Sequence, residues 1–121
     1  MTAREIKDIN REISRLRAKM ARIQAEADNT AVTLGERIVP SGQTSDRVGN
    51  AVAQIADIQR DIQNLEIRRN SALNSLSRED FVENCLFMHL GLKYSWAKIA
   101  VDTGGINTPD NIRKMCNRHH W

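Results

Sequence analysis

The fold is decided by the stretch AREIKDINREISRLRAKMARIQAEAD, residues 3–28. Its apolar residues are Ile6, Ile9, Ile13, Leu16, Met20, Ile23 and Ala27, and the steps between them alternate three and four. That is an a/d heptad repeat, and the residues between are mainly Arg, Lys, Glu, Asp, Gln and Ala. Such a pattern places one apolar seam along an otherwise solvated helix. Thr2 and Glu5 have the spacing of a capping box at its start. A helix over 3–28 would be about 39 Å long at the standard rise per residue.

The same signature returns downstream. Val48, Ala51, Ile55, Ile58, Ile62, Leu65, Arg69, Ala72 and Leu76 again step by three and four, with Val52 and Leu73 widening the stripe. Arg69 is the polar intrusion, of the kind that sets register or partner number. Between the two repeats, Asn29 and Thr30 end the first pattern, and Gly35, Pro40, Ser41, Gly42 and Ser45 punctuate a connection over 29–46. Two long amphipathic helices of similar length fold back as an antiparallel hairpin. Each stripe is wide, so a second copy of the chain is expected to cover what the hairpin leaves open, giving a dimer or a higher oligomer. Ile6, Ile9, Ile13, Leu16, Met20, Ile23, Ile55, Ile58, Ile62 and Leu65 are the residues expected to carry that oligomerisation.

Composition agrees with this layout. Phe81, Phe87, Tyr94, Trp96 and Trp121 are the whole aromatic set, and all lie in the last third of the chain. The first two-thirds must therefore pack thin aliphatic layers, which suits helix against helix. From Ser77 onward the pattern changes. Ser77 stands three residues before Asp80, and Phe81, Val82, Cys85, Leu86, Met88 and Leu90 form an apolar face that Gly91 ends. A short helix entered at Ser95 would turn Trp96, Ile99, Ala100 and Val101 inward. Gly104 and Gly105 supply a turn, and Thr108-Pro109-Asp110 starts a last helix with a cap, a proline at the first position and an acid in the first turn. Ile112, Met115 and Cys116 share one side of it.

The expected fold class is thus all-α: a long antiparallel coiled-coil hairpin over 1–76, followed by a small three-helix head over 77–121. A short helix, a glycine turn and a capped second helix make the outline of a helix-turn-helix. In such a unit Asn107, Thr108 and Asn111 would face backbone and base edges of double-stranded DNA. Arg113, Lys114, Asn117 and Arg118 are the candidates for phosphates or guanine edges. Asp110 would repel phosphate unless it turned toward the protein or a base amino group. The plain alternative is a helical tail with a solvated basic face.

Residues 94–118, from Tyr94-Ser95-Trp96-Ala97-Lys98-Ile99-Ala100 to Asn107-Thr108-Pro109-Asp110-Asn111-Ile112-Arg113-Lys114, resemble the last helix-turn-helix of sigma factors. There a "SWxxIA" helix precedes a turn and a "[ST]xxxVR" recognition helix. The wider layout is similar to short phage and prophage proteins that join an N-terminal coiled coil to a sigma-like C-terminus. Some related phage proteins activate late-gene transcription, so the resemblance implies a phage regulatory DNA-binding role. The spacing departs from that pattern: Ala100 to Ile112 is twelve residues where about ten are usual, so the turn is longer.

Net charge is +3, from 18 basic and 15 acidic residues. That permits contact with nucleic acid without requiring it. Residues 1–27 carry seven Lys/Arg against four Asp/Glu, and residues 103–121 carry Arg113, Lys114 and Arg118 against Asp110 alone. No phosphate loop, nucleophile elbow or zincin motif is present, and no enzyme is expected. Cys116, His119 and His120 share a helical face, but a zinc ion would need a fourth ligand from His89 or Cys85. Solvated histidines and a core thiol are the plainer account, and neither metal nor cofactor is expected. Cys85 and Cys116 read as reduced thiols of a cytoplasmic protein, in the host cell if phage-encoded. No apolar run approaches the roughly 20 residues a membrane span needs. Besides the DNA-binding regulator, two roles fit the pattern: an adaptor or inhibitor of a host protein, and a ring-forming packaging subunit.

Overall fold

A computed structural model describes the backbone of residues 1–36 and 41–121 and the side chains of residues 1–28 and 49–121. The elements in order are α1 (Ala3–Glu36), α2 (Ser41–Asn74), α3 (Phe81–Leu86), a π-helical turn (Phe87–Gly91), α4 (Trp96–Asp102) and α5 (Pro109–Arg118). The chain is all-helical, and α1 and α2 pack as the expected hairpin. Helical backbone reaches Glu36 and resumes at Ser41, so the connection expected over 29–46 is narrower than the sequence suggests. Its centre, and all side chains from 29 to 48, lie outside the described residues.

Both compact units are built from pieces of the two long helices. One is Arg11–Glu66; the other joins Met1–Asn10 to Ile67–Trp121. In the first, Ile13, Leu16, Ile58 and Ile62 are buried within a single chain. Arg17 reaches Glu66 across the hairpin at 2.6 Å. This exposed pair adds little stability; the aliphatic seam carries the association. Met20, Ile23, Ile55 and Leu65 are half-buried. Val52, expected to widen the seam, is 62% exposed, because it lies beside the stripe rather than on it.

The second unit begins with the capping box read from Thr2 and Glu5. The Glu5 N–H donates to Thr2 Oγ1 and the Thr2 N–H donates to Glu5 Oε2, both at 3.3 Å. Its core gathers Ala3 and Ile6 from α1, Leu73 from α2 and Leu76 just beyond it, Cys85 and Leu86 from α3, Leu90, Ile99 and Ala100, and Ile112 and Cys116 from α5. Because α1 and α2 lend their ends to this core, the unit takes in Met1–Asn10 and the chain from Ile67 onward. Ile6 and Ile9 are already buried in one chain.

Polar groups close the unit. Arg69, the intrusion in the second heptad, donates from Nη1 to Asn10 Oδ1 at 3.0 Å. It is thereby satisfied, as a half-buried guanidinium must be. The C-terminal segment runs back along the N-terminus: the Trp121 N–H donates to the Met1 carbonyl at 2.8 Å, the Met1 amine donates to Trp121 O, and Thr2 bridges His120. The Trp121 indole N–H donates to the Ala72 carbonyl at 3.0 Å. Trp121 therefore packs on the end of α2.

The α3 start differs from expectation. Its cap is Asp80, whose Oδ1 accepts the Glu83 N–H at 3.0 Å. Ser77 instead sits one turn earlier, its N–H donating to Glu83 Oε1 at 3.1 Å and its hydroxyl accepting the Glu79 N–H at 3.3 Å. Asp80 wins because the carboxylate is the better partner for a helix N-terminus. Phe81, expected inside, is left partly exposed.

Burial of the seam within one chain makes it a folding element in its own right. Leu16→Ala should therefore cost about 2–5 kcal/mol, the usual range for a deleted core leucine. Urea melts at two protein concentrations tenfold apart would check this. The loss should be the same at both; a loss that vanished at high concentration would place Leu16 in an intermolecular seam instead.

Candidate nucleic-acid interface

Each helix of the α4–turn–α5 unit is started and stopped by an identifiable residue. The Ser95 hydroxyl accepts the Lys98 N–H at 3.2 Å, capping α4. The Thr108 hydroxyl accepts the Asn111 N–H at 3.2 Å, and Pro109 fills the first helical position of α5. The far end of α4 forms a Schellman closure. The Gly105 N–H donates to the Ala100 carbonyl at 2.8 Å and the Gly104 N–H to the Val101 carbonyl at 3.1 Å. Gly104 and Gly105 have φ of 98° and 72°, a region side chains strongly disfavour. The Thr103 hydroxyl reinforces the stop by donating to the Ile99 carbonyl at 2.7 Å.

Behind α4 stands the π-helical turn. The Leu92 N–H donates to the Phe87 carbonyl at 3.2 Å and the Tyr94 N–H to the Met88 carbonyl at 3.0 Å. Widening the helix this way places His89 face to face with Trp96, ring centres 3.7 Å apart. His89 Nδ1 lies 2.8 Å from the Tyr94 carbonyl. A carbonyl can only accept, so Nδ1 carries the proton. Burial holds the His89 pKa below its ordinary value, the Tyr94 hydrogen bond opposes that shift, and nearby Lys7 adds to it. Lys93, between the turn and α4, takes a left-handed φ of 60°; Lys98 lies 4.1 Å over the Tyr94 ring.

With Ile112 and Cys116 fully buried, the other side of α5 is turned outward. Asn111, Arg113, Lys114, Asn117 and Arg118 are exposed, as is Thr108, while Asn107 is half-buried. Seven sequence candidates thus fall together along one helix and its entry turn. Two of them are paired, both with Asp110. The Arg113 guanidinium donates to Asp110 Oδ1 from Nη2 at 2.6 Å and from Nε at 3.3 Å. The Lys114 amine lies 3.1 Å from Asp110 Oδ2. Arg113 first, then Lys114, hold the Asp110 carboxyl below the usual carboxylate range. Asp110 thus stays on the exposed side of α5, paired with its own neighbours three and four residues along the helix.

The turn's apolar tip is not what the sequence suggests. Val101, expected inward, is 75% exposed, and Ile106 is 88% exposed. Ile106 lies in the turn between the helices, whereas Val101 belongs to the last turn of α4.

Charge is unevenly shared between the units. Met1–Asn10 with Ile67–Trp121 holds ten Lys/Arg and seven Asp/Glu, whereas Arg11–Glu66 holds eight of each. The whole excess therefore lies in the unit that carries α5.

Among the described residues no group of three or more His, Cys, Asp and Glu is placed to hold a metal ion. Cys116 instead points into the core, within weak hydrogen-bond reach of the Val82 carbonyl. Burial, with a smaller contribution from Cys85, pushes its thiol up to about 12, and burial raises Cys85 as well. Both are free thiols, and protonated thiols are poor nucleophiles and ligands. His119 lies 3.3 Å from Glu83. No described helix is long and apolar enough to cross a membrane. The chain matches no family model, no curated protein and no solved structure.

Two measurements check this geometry. A Cβ on Gly104 would meet nothing within 4 Å, so Gly104→Ala isolates the backbone cost and should lower stability by about 1 kcal/mol. Gly91→Ala, where φ is ordinary and the nearest atom to a Cβ is 3.6 Å away on the Phe87 ring, should be tolerated. Equal losses in thermal melts would contradict this assignment.

His89 gives a pH test. Its folded pKa lies below the ordinary 6.5, so below that value the unfolded chain takes up a proton that the folded chain refuses. Its contribution to stability is complete above 6.5 and declines as pH falls through the window beneath. Between pH 7.5 and 5.5, His89→Gln should lose less stability than the parent protein; parallel profiles would clear His89 of that role.

Proposed function

We propose that this chain is a DNA-binding regulatory protein of the phage or prophage type, gripping duplex DNA with α5 and its entry turn. One observation supports this most. The net charge of +3 is confined to the unit in which a capped short helix, a glycine turn and a capped second helix leave Asn111, Arg113, Lys114, Asn117 and Arg118 exposed on a single helix face. A helix of ten residues starting with a threonine cap and a proline has the dimensions to enter a major groove with its first turns.

Roles follow from chemistry and position. Thr108 and Asn111, at the helix start, are placed for base edges or the phosphate beside them. Arg118 and Asn117, farther along, are placed for the sugar–phosphate backbone. Arg113 and Lys114 serve phosphates or guanine once they leave Asp110. Asn107, half-buried in the entry turn, is a further candidate for backbone or base-edge contact. Self-association belongs to the same proposal: two linked heads on one duplex gain from effective concentration. Since Ile6, Ile9, Ile13, Leu16, Ile58 and Ile62 are covered within one chain, a second copy would meet Met20, Ile23, Ile55, Leu65 and the faces beside them.

The test is a binding titration of the whole chain on a DNA duplex across a salt series. Replacing Arg113 and Lys114 together by Ala should weaken binding and flatten its dependence on salt, by up to about 0.9 in log–log slope for each phosphate no longer neutralised. Light scattering of the same mixtures reports the subunit number. Unchanged affinity and slope would remove α5 from the interface.

A further inference from the structure

Asp110 is the one acidic residue of α5, and it stands on the face that would meet DNA. A free carboxylate there would repel a phosphate. Instead each of its oxygens holds a cation: Oδ1 takes the Arg113 guanidinium through two N–H groups, and Oδ2 takes the Lys114 amine. One anionic group with two oxygens bridging an arginine and a lysine reproduces what a phosphate diester offers the same pair. We propose that Asp110 is an internal substitute for a DNA phosphate, which duplex must displace before Arg113 and Lys114 engage. This rests on the duplex-binding reading above and deepens it.

The consequence is an exchange rather than a simple attraction. When a phosphate replaces Asp110, two charge-assisted pairings form and two are broken, so the gain in sequence-independent affinity is smaller than two unpaired cations would give. Displaced Asp110 then needs a donor. In the major groove the cytosine amino group is the base-edge partner suited to a carboxylate. Phosphate contact alone leaves Asp110 unsatisfied against a negative backbone, whereas a site offering an amino group at that position satisfies it. Asp110 thereby lowers binding to random DNA more than binding to a matching site, which is how a repulsive element raises a specificity ratio.

The experiment uses the full chain, a random-sequence duplex and fluorescence anisotropy between about 50 and 200 mM salt. Asp110→Asn keeps the size of the side chain and removes its charge. It should bind the random duplex more tightly at low salt. Each additional phosphate neutralised steepens the log–log salt slope by about 0.9, or roughly threefold more loss of affinity across that range. In a background where Arg113 and Lys114 are both Ala, the same substitution should gain little. A gain of equal size there would mean general repulsion and would overturn the exchange. Parent and Asp110→Asn binding alike would overturn it too, while leaving the duplex-binding reading in place. No binding by either protein would remove both. Matching circular dichroism melts establish that the variants are folded.

Discussion

The structure depends on one aliphatic core into which the ends of the long helices and all the short elements insert. Ile6, Leu86, Ile99 and Ile112, each fully buried, come from four different helices. Helices of six, seven and ten residues, the lengths of α3, α4 and α5, are too short to persist in water alone. Their stability is tertiary. Removing α1 from this unit would take away Ala3 and Ile6, and removing α2 would take away Leu73. The head is therefore not an appendage to a coiled coil. It is completed by the first and last turns of that coil's two helices.

Around the core, local chemistry decides where each element begins and how it is aimed. Asp80, Ser95 and Thr108 cap three successive helices through side-chain oxygens, and Gly104 and Gly105 accept backbone angles that free α5 to start in a new direction. The π-helical turn, the left-handed Lys93 and the His89–Trp96 stack together set the line of α4. Strain at Lys93 is tolerated because the elements on both sides are anchored in the core. What results is a rigid bracing helix behind a second helix whose outer face is polar.

Electrostatics then distinguishes the units. Arg11–Glu66 is balanced in charge, and its cross-hairpin pair is exposed and weak. The unit with α5 carries the surplus, but part of it is neutralised at close range by Asp110. Net charge alone overstates how much of this surface is ready to take an anion. The exposed apolar tip at Val101 and Ile106 has no counterpart in that description, since neither side chain contributes charge or core.

The heptads of α1 and α2, the capping box at Thr2, the caps at Ser95 and Thr108 and the glycine turn are all readable in the residues, because each is set by contacts within a few positions of the chain. Periodicity and capping are local physics, and they suffice for an all-helical hairpin with a capped helical pair after it. Two features are decided only by tertiary structure. Met1 and Trp121 meet, with the Trp121 indole donating to Ala72, through hydrogen bonds that no sequence period encodes. Val52 and Val101 face solvent although their spacing allowed them inside, since which edge of a wide stripe is covered depends on the packing partner. The pairing of Asp110 with Arg113 and Lys114, three and four residues along the same helix, belongs by contrast to the local contacts. Sequence determined which elements form and where they stop; long-range packing determined which of their faces remain open.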